Sequence, residues 1–97
     1  MLKSNFNSAT EGEAFPLDRA QPGAEVVVDH VRHDDSPASR RLTDLGVLPD
    51  TAITVVRRAP LGDPVEYALR GYRLCLRSTE AARIWVRRLA DGDSANA

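Results

Sequence analysis

Apolar and polar positions in this chain alternate in short runs, separated by glycine, proline and aspartate. Glu25-Val26-Val27-Val28-Asp29-His30-Val31 holds three consecutive valines, a β-branched cluster that favours a strand. Ile53-Thr54-Val55-Val56-Arg57-Arg58 has the same character and predicts a second strand over Ala52 to Arg58. Val65-Glu66-Tyr67-Ala68-Leu69 and Tyr72-Arg73-Leu74-Cys75-Leu76 alternate, and only Arg70-Gly71 lies between them. A two-residue connection containing glycine predicts a tight hairpin. In its second arm Tyr72, Leu74 and Leu76 share one face and Arg73, Cys75 and Arg77 the other, with Tyr67 and Tyr72 expected in the core. Ile84-Trp85-Val86-Arg87 makes the fifth strand, with Ile84 and Val86 inward and Trp85 outward.

One stretch has a different period. Ala38, Leu42 and Leu45 fall at i, i+4 and i+7, the stripe of a short helix. Ser36 suits its N-cap, Pro37 its first turn, and Gly46 the left-handed residue beyond its end. Val47 and Leu48 can then fold back onto the stripe, while Asp34 and Asp35 sit at the end that favours negative charge. Asp18-Arg19-Ala20 suggests a single turn, and Ser78 is expected to cap another through Glu80-Ala81-Ala82. Ala59-Pro60-Leu61-Gly62-Asp63-Pro64 carries two prolines, which cannot occupy a central strand. It therefore reads as a rigid, solvent-facing connection.

Residues 1–14 and 89–97 are polar and lack periodicity, so both ends are expected to be disordered, leaving one domain over 15–88. The expected fold is mainly β: a small SH3-like barrel of about five strands with one short α-helix and a helical turn. Closure follows because small antiparallel sheets avoid open edges by curling, which should bring the first strand to the last.

Composition narrows the function. The 97 residues include 13 Lys+Arg and 14 Asp+Glu, a net charge of −1, which argues against nonspecific phosphate binding. The single cysteine, Cys75, cannot form an internal disulfide and fits a reducing compartment. No apolar run resembles a signal peptide or a membrane span, so a cytoplasmic location is expected.

Candidate chemistry is sparse. His30, His33, Asp34 and Asp35 lie within six residues and offer weak ligands for Fe(II) or Zn(II), but no second cluster completes a tetrahedral site. Solvated loop residues are the plainer reading. Cys75 would need a nearby histidine to act as a nucleophile and reads instead as a small apolar strand residue. No catalytic triad, carboxylate pair or phosphate-cradling loop is present, so an enzyme is not expected. Arg40-Arg41, Arg57-Arg58, Arg70, Arg73, Arg77 and Arg87-Arg88 would form a basic face if the sheet grouped them, yet stacking aromatics are scarce. Trp85 and the Leu45–Leu48 corner are the apolar features best placed to meet a partner.

Several pieces occur together in order: Leu45-Gly46-Val47-Leu48-Pro49, Ala59-Pro60-Leu61-Gly62-Asp63-Pro64, Arg70-Gly71, Leu74-Cys75-Leu76-Arg77 and Glu80-Ala81-Ala82-Arg83-Ile84. In this spacing, from Phe15 to Arg88, the chain resembles the FeoA family of ferrous-iron transport accessory proteins. It departs at Asp50, where the family pattern usually has glycine, and at Cys75, where it usually has alanine. Aspartate tolerates the left-handed conformation better than most residues, so the turn can survive. The resemblance implies an SH3-like barrel without a required cofactor. Its partner would be FeoB, the membrane ferrous-iron transporter with its own GTPase domain, and the protein would sit peripherally at the inner membrane. Nucleic acid is not expected as a partner.

The same barrel occurs as the C-terminal domain of DtxR-like repressors, but the polar residues before Phe15 are too few for a helix-turn-helix. Docking is expected through Leu45, Val47 and Leu48, rimmed by Arg40 and Arg41, with Trp85 as a further contact. The rival functions are a metal sensor using His30 and His33 and a small nucleic-acid-binding barrel.

Overall fold

Each strand marked by alternation forms, and one unmarked strand joins them. A computed structural model describes residues 10–32 and 34–89. Strand β1 spans Thr10–Pro16 and runs into a 3-10 turn at Leu17–Arg19. β2 spans Glu25–Val31, helix α1 Pro37–Asp44, β3 Ala52–Arg58, β4 Val65–Leu69 and β5 Tyr72–Leu76. A four-residue helix, α2, covers Ser78–Ala81, and β6 covers Ile84–Leu89. The strands form one antiparallel sheet in the order β1-β6-β2-β3-β4-β5.

The expected meeting of the Val26–Val28 strand with the last strand is present, with Val28 opposite Val86 and Val31 opposite Ile84. Among the described residues there are six strands, where about five are expected. Residues 10–14, expected to be disordered, belong to β1, and Leu89 belongs to β6 rather than to a tail. Thr10-Glu11-Gly12-Glu13-Ala14 has little intrinsic strand preference. Its conformation comes from pairing with β6, whose other side is held by β2. The remaining residues expected to be disordered, 1–9 and 90–97, lie outside the described residues.

The core is built from the inward positions of the strands: Val26 and Val28, Ile53 and Val55, Val65 and Tyr67, Ile84 and Val86 are each at most 2% exposed. Burial pushes the Tyr67 phenol up to about 12. The two outer strands, β1 and β5, each lead into a short helical turn, and these two turns pack on each other. Leu17 and Ala81, one from each turn, are fully buried at the open side of the sheet. The α2 turn is not capped as expected. Arg77 occupies the N-cap position, the Glu80 carboxylate accepts the Arg77 N–H (3.0 Å), and Asp63 accepts both the N–H and the hydroxyl of Ser78.

Tyr72, expected in the core, lies at the surface, because β5 is an outer strand whose start extends past the core. Cys75 is exposed on the face it shares with Arg73. The Arg70-Gly71 hairpin forms with positive φ at both residues, 49° and 85°, the twist that a two-residue connection requires.

Truncating Leu17 removes the side chain that fills the open side of the sheet. Leu17→Ala is expected to cost about 2–4 kcal/mol, read as a lower urea midpoint. A variant within about 0.5 kcal/mol of the parent would show that the contact between the two turns is not structural.

Candidate functional site

The candidate site grows from the end of helix α1. Ser36 caps its start, its hydroxyl accepting the Ser39 N–H at 3.2 Å. At the other end Gly46 turns left-handed, with φ 95°. The Val47 N–H donates to the Leu42 carbonyl (3.1 Å) and the Gly46 N–H to the Thr43 carbonyl (3.0 Å). This is the Schellman pattern, completed by the apolar pair Leu42 and Val47, each 1% exposed. The chain then binds β2 through Asp50 N–H to Val28 carbonyl (2.8 Å) and Val28 N–H to Thr51 carbonyl (2.9 Å). Asp50 adopts φ 72°, so aspartate does serve the left-handed position.

The β4–β5 hairpin clasps this corner from outside. Arg70 Nε donates to the Gly46 carbonyl at 3.1 Å and the Tyr72 hydroxyl donates to the Leu45 carbonyl. A side chain at Gly46 would put its Cβ 3.0 Å from the Arg70 Cδ atom. The corner is thereby held on three sides, and Leu48 projects from it, 38% exposed.

Beside Leu48 lies a groove of about 260 Å³ between α1, the end of β2 and the corner. Val31, Val47, Leu48 and Pro49 form its apolar wall, and His30, Arg32, Asp34, Ser39, Arg40 and Thr43 its polar rim. Asp34 is fully engaged. Its Oδ1 accepts the Ser36 N–H and hydroxyl (3.1 and 2.6 Å), and its Oδ2 accepts Arg83 Nη1 at 2.8 Å. The Ser36 hydrogen bonds, with Ser39 and Arg83 behind them, hold this carboxyl far below the usual carboxylate range. Asp29 is lowered too, first by the His30 ring at 2.7 Å and then by Arg87. His30 stacks on Trp85, ring centroids 5.9 Å apart and planes within 4°. Arg40 differs from these groups. Among the described residues it makes no ion pair, only a long hydrogen bond to the Asp35 carbonyl (3.4 Å).

The residues singled out by sequence therefore divide. Leu48 and Arg40 meet at the groove, with Val47 as its buried floor. Leu45 is half-buried and contributes its carbonyl to the Tyr72 clasp. Arg41 turns to the other side of α1 and pairs with Glu80 at 2.6 Å. Trp85 is half-buried behind His30 rather than simply outward. His30 and Asp34 both line the groove, each bonded to its own neighbours, and Asp35 is exposed; His33 lies outside the described residues. Among the described residues no three histidine, cysteine or acidic side chains converge as metal ligands would. Cys75 lines a separate hollow with Arg57, Pro60, Pro64 and Glu66, which holds no histidine.

The arginines do not merge into one face. Arg57 and Arg73 share Glu66, which they hold below its usual value, Arg87 pairs with Asp29, and Arg58 donates to the Ala20 carbonyl. Several contributors are not marked as site residues by the sequence. Val31, Arg32, Thr43 and Pro49 line the groove, Ser39 is buried on α1, and Arg83 ties Asp34, Ser36 and Ser39 together.

A curled six-stranded antiparallel sheet with one short helix and a rigid apolar corner defines a small SH3-like β domain. The sequence matches the FeoA domain over residues 15–88, and the chain belongs to the FeoA family, which takes part in ferrous iron transport. An NMR structure of a FeoA-like protein from Clostridium acetobutylicum is 33% identical, with a TM-score of 0.73 over 78% of this chain and 87% of that one. A crystal structure of Stenotrophomonas maltophilia FeoA, complexed with zinc and described as an SH3 domain protein, is 27% identical. Its TM-score is 0.66, over 77% of this chain and 89% of that one. A Porphyromonas gingivalis protein named as a fusion of Fe(2+) transport protein A and the Fe(2+) transporter FeoB is 43% identical over 47 residues. That match takes in 48% of this chain and only 6% of the fusion protein.

The lowered carboxyls make stability depend on pH. Asp29, Asp34 and Glu66 are all held below their ordinary values of 3.8 and 4.5, so each stabilises the fold above that range and loses its contribution as pH falls below it, through the lowered value. The urea midpoint is expected to be flat from pH 7 to about 5 and to drop toward pH 2. Asp34→Asn should lower the midpoint at pH 7 and make the acid drop shallower; an unchanged acid profile would remove Asp34 from the cause.

Proposed function

We propose that this protein is a non-enzymatic accessory of ferrous iron uptake that docks on a cytosolic part of FeoB and modulates its GTPase-linked Fe(II) transport. The observation that carries the reading is the rigid corner itself: Leu48 projects beside an apolar groove whose rim holds Arg40, which makes no ion pair among the described residues. An exposed apolar side chain on a rigid corner can fill a pocket on a partner, and arginine is among the residues enriched at interfaces. Because three sets of hydrogen bonds already hold the corner, little ordering entropy remains to be lost on binding.

The Porphyromonas gingivalis relative supports the choice of partner, since its name joins the two proteins in one chain. Covalent linkage raises effective concentration and suits a contact that is weak between separate molecules. No helix among the described residues is long and apolar enough to cross a membrane, so attachment to the cytoplasmic side of the inner membrane would come through FeoB. Docking of this kind requires no metal or other cofactor. To act as a regulator the domain must bind two states of the transporter unequally.

Capture of detergent-solubilised FeoB by this protein, with GTP hydrolysis read in the same samples, tests the reading. Leu48→Asp should weaken capture by roughly thirtyfold or more while leaving the fold intact. Arg40→Glu should weaken it further at low salt than at moderate salt, as screening predicts. Undiminished capture by a folded Leu48→Asp variant would exclude the groove as the contact.

A further inference from the structure

The largest apolar exposure in the described residues lies at the other end of the molecule. Leu61, in the β3–β4 connection, is 96% exposed. A leucine scattered on a surface needs no explanation. This one is held out. Pro60 and Pro64 restrict the backbone on either side, the Gly62 N–H donates to the Ala59 carbonyl (2.7 Å), and the Ala59 N–H donates to the Pro64 carbonyl (3.0 Å). Asp63 Oδ1 accepts two hydrogen bonds from Ser78 (2.8 and 3.1 Å), fastening the loop to α2. The loop is a preformed finger with an apolar tip, so little backbone ordering remains at the moment of contact.

The same molecule carries a socket suited to that tip. The groove beside Leu48, at about 260 Å³, lies just below the range of typical small-molecule sites and is large enough to admit an apolar side chain. The charges also match. Asp63 Oδ2 makes no hydrogen bond among the described residues, and Arg40 on the groove rim makes no ion pair there. Finger and groove lie beyond opposite ends of β3, Ala52–Arg58, which separates them by roughly 20 Å. A molecule therefore cannot fill its own groove.

We propose that a second copy of this chain fills it, head to tail, with Leu61 of one molecule entering the groove of the next and Asp63 facing Arg40. Such a contact is heterologous, so it propagates into a chain or closes into a ring rather than forming a symmetric dimer. A single leucine anchor makes it weak, with a dissociation constant on the order of a millimolar. Resting on the transporter reading, one consequence follows: a groove occupied by Leu61 is closed to FeoB, so self-association and docking exclude each other.

Leucine-methyl NMR and sedimentation of the full chain, from tens of micromolar to about 2 mM, test this without any transporter. The Leu61 and Leu48 methyl resonances should move together as concentration rises, with a parallel rise in average mass. Leu61→Asp, at a position with no packing to lose, should abolish both changes. Thr43→Arg, an exposed helix position on the groove rim, blocks the socket and spares the finger. Labelled Thr43→Arg titrated with unlabelled Leu61→Asp should restore the Leu61 shifts, whereas unlabelled Thr43→Arg should not. Spectra unchanged up to about 2 mM would overturn the proposal. So would Leu61 shifts persisting when every groove is blocked, since they would mean a finger-to-finger contact. Either failure leaves docking on FeoB standing, because that reading is judged by capture with Leu48→Asp.

Discussion

Gly46 is the residue on which the surface of this domain depends. Its left-handed backbone ends α1 and reverses the chain, so that Val47 drops into the core and Leu48 stays outside. The Leu45 and Gly46 carbonyls then become acceptors for Tyr72 and Arg70 of the β4–β5 hairpin. A helix that continued would carry Leu48 to another face and leave that hairpin without its partners. One backbone constraint thus joins two distant segments and fixes the position of the exposed anchor. The left-handed φ disfavours any side chain at residue 46, and a Cβ there would also press on the Arg70 side chain.

Around this corner the charges are mostly spent on structure. Arg83 gathers Asp34, Ser36 and Ser39 at the start of α1, Arg41 reaches Glu80 of α2, and Arg57 and Arg73 share Glu66 across the sheet. Exposed pairs of this kind add little stability individually. Their effect is on what remains beside the groove: Asp34 is already committed to Ser36 and Arg83, whereas Arg40 makes no ion pair among the described residues. Among the described residues exposed apolar side chains are few, with Leu48 and Leu61 placed on separate rigid loops at opposite ends of β3. Binding capacity in a domain with so thin a core rests on stiff loops rather than on a deep cavity.

Much of the fold was legible because the decisive signals were local. Alternation over Val65–Leu69 and Tyr72–Leu76, the valine cluster of β2, Ser36-Pro37 before α1 and Gly46 after it each state a backbone conformation within a few residues. β1 was not legible. Thr10-Glu11-Gly12-Glu13-Ala14 carries no apolar alternation, and its extended form exists through hydrogen bonds to β6, more than seventy positions away. Tyr72 followed the alternation correctly but not the burial, since only the sheet order shows that β5 is an outer strand. At the candidate site, Leu48 and Arg40 could be named from the apolar corner and the charges near it. Arg41 next to Arg40 could not be separated from it, because a helix turns about 100° between neighbours and the facing element decides which side is occupied.

By itself, then, the amino-acid order determined the β character of the chain, its tight turns, the helix with both ends, and the motif series shared with the FeoA family. These are properties of neighbouring residues, set by backbone sterics and side-chain period. The tertiary structure decided the sixth strand, the clasp of Arg70 and Tyr72 on the corner, the stacking of His30 on Trp85, and the separation of Leu61 from the groove by the length of β3. Each of these depends on residues far apart in the chain meeting across a curled sheet, and nothing in local periodicity specifies which distant residues will meet.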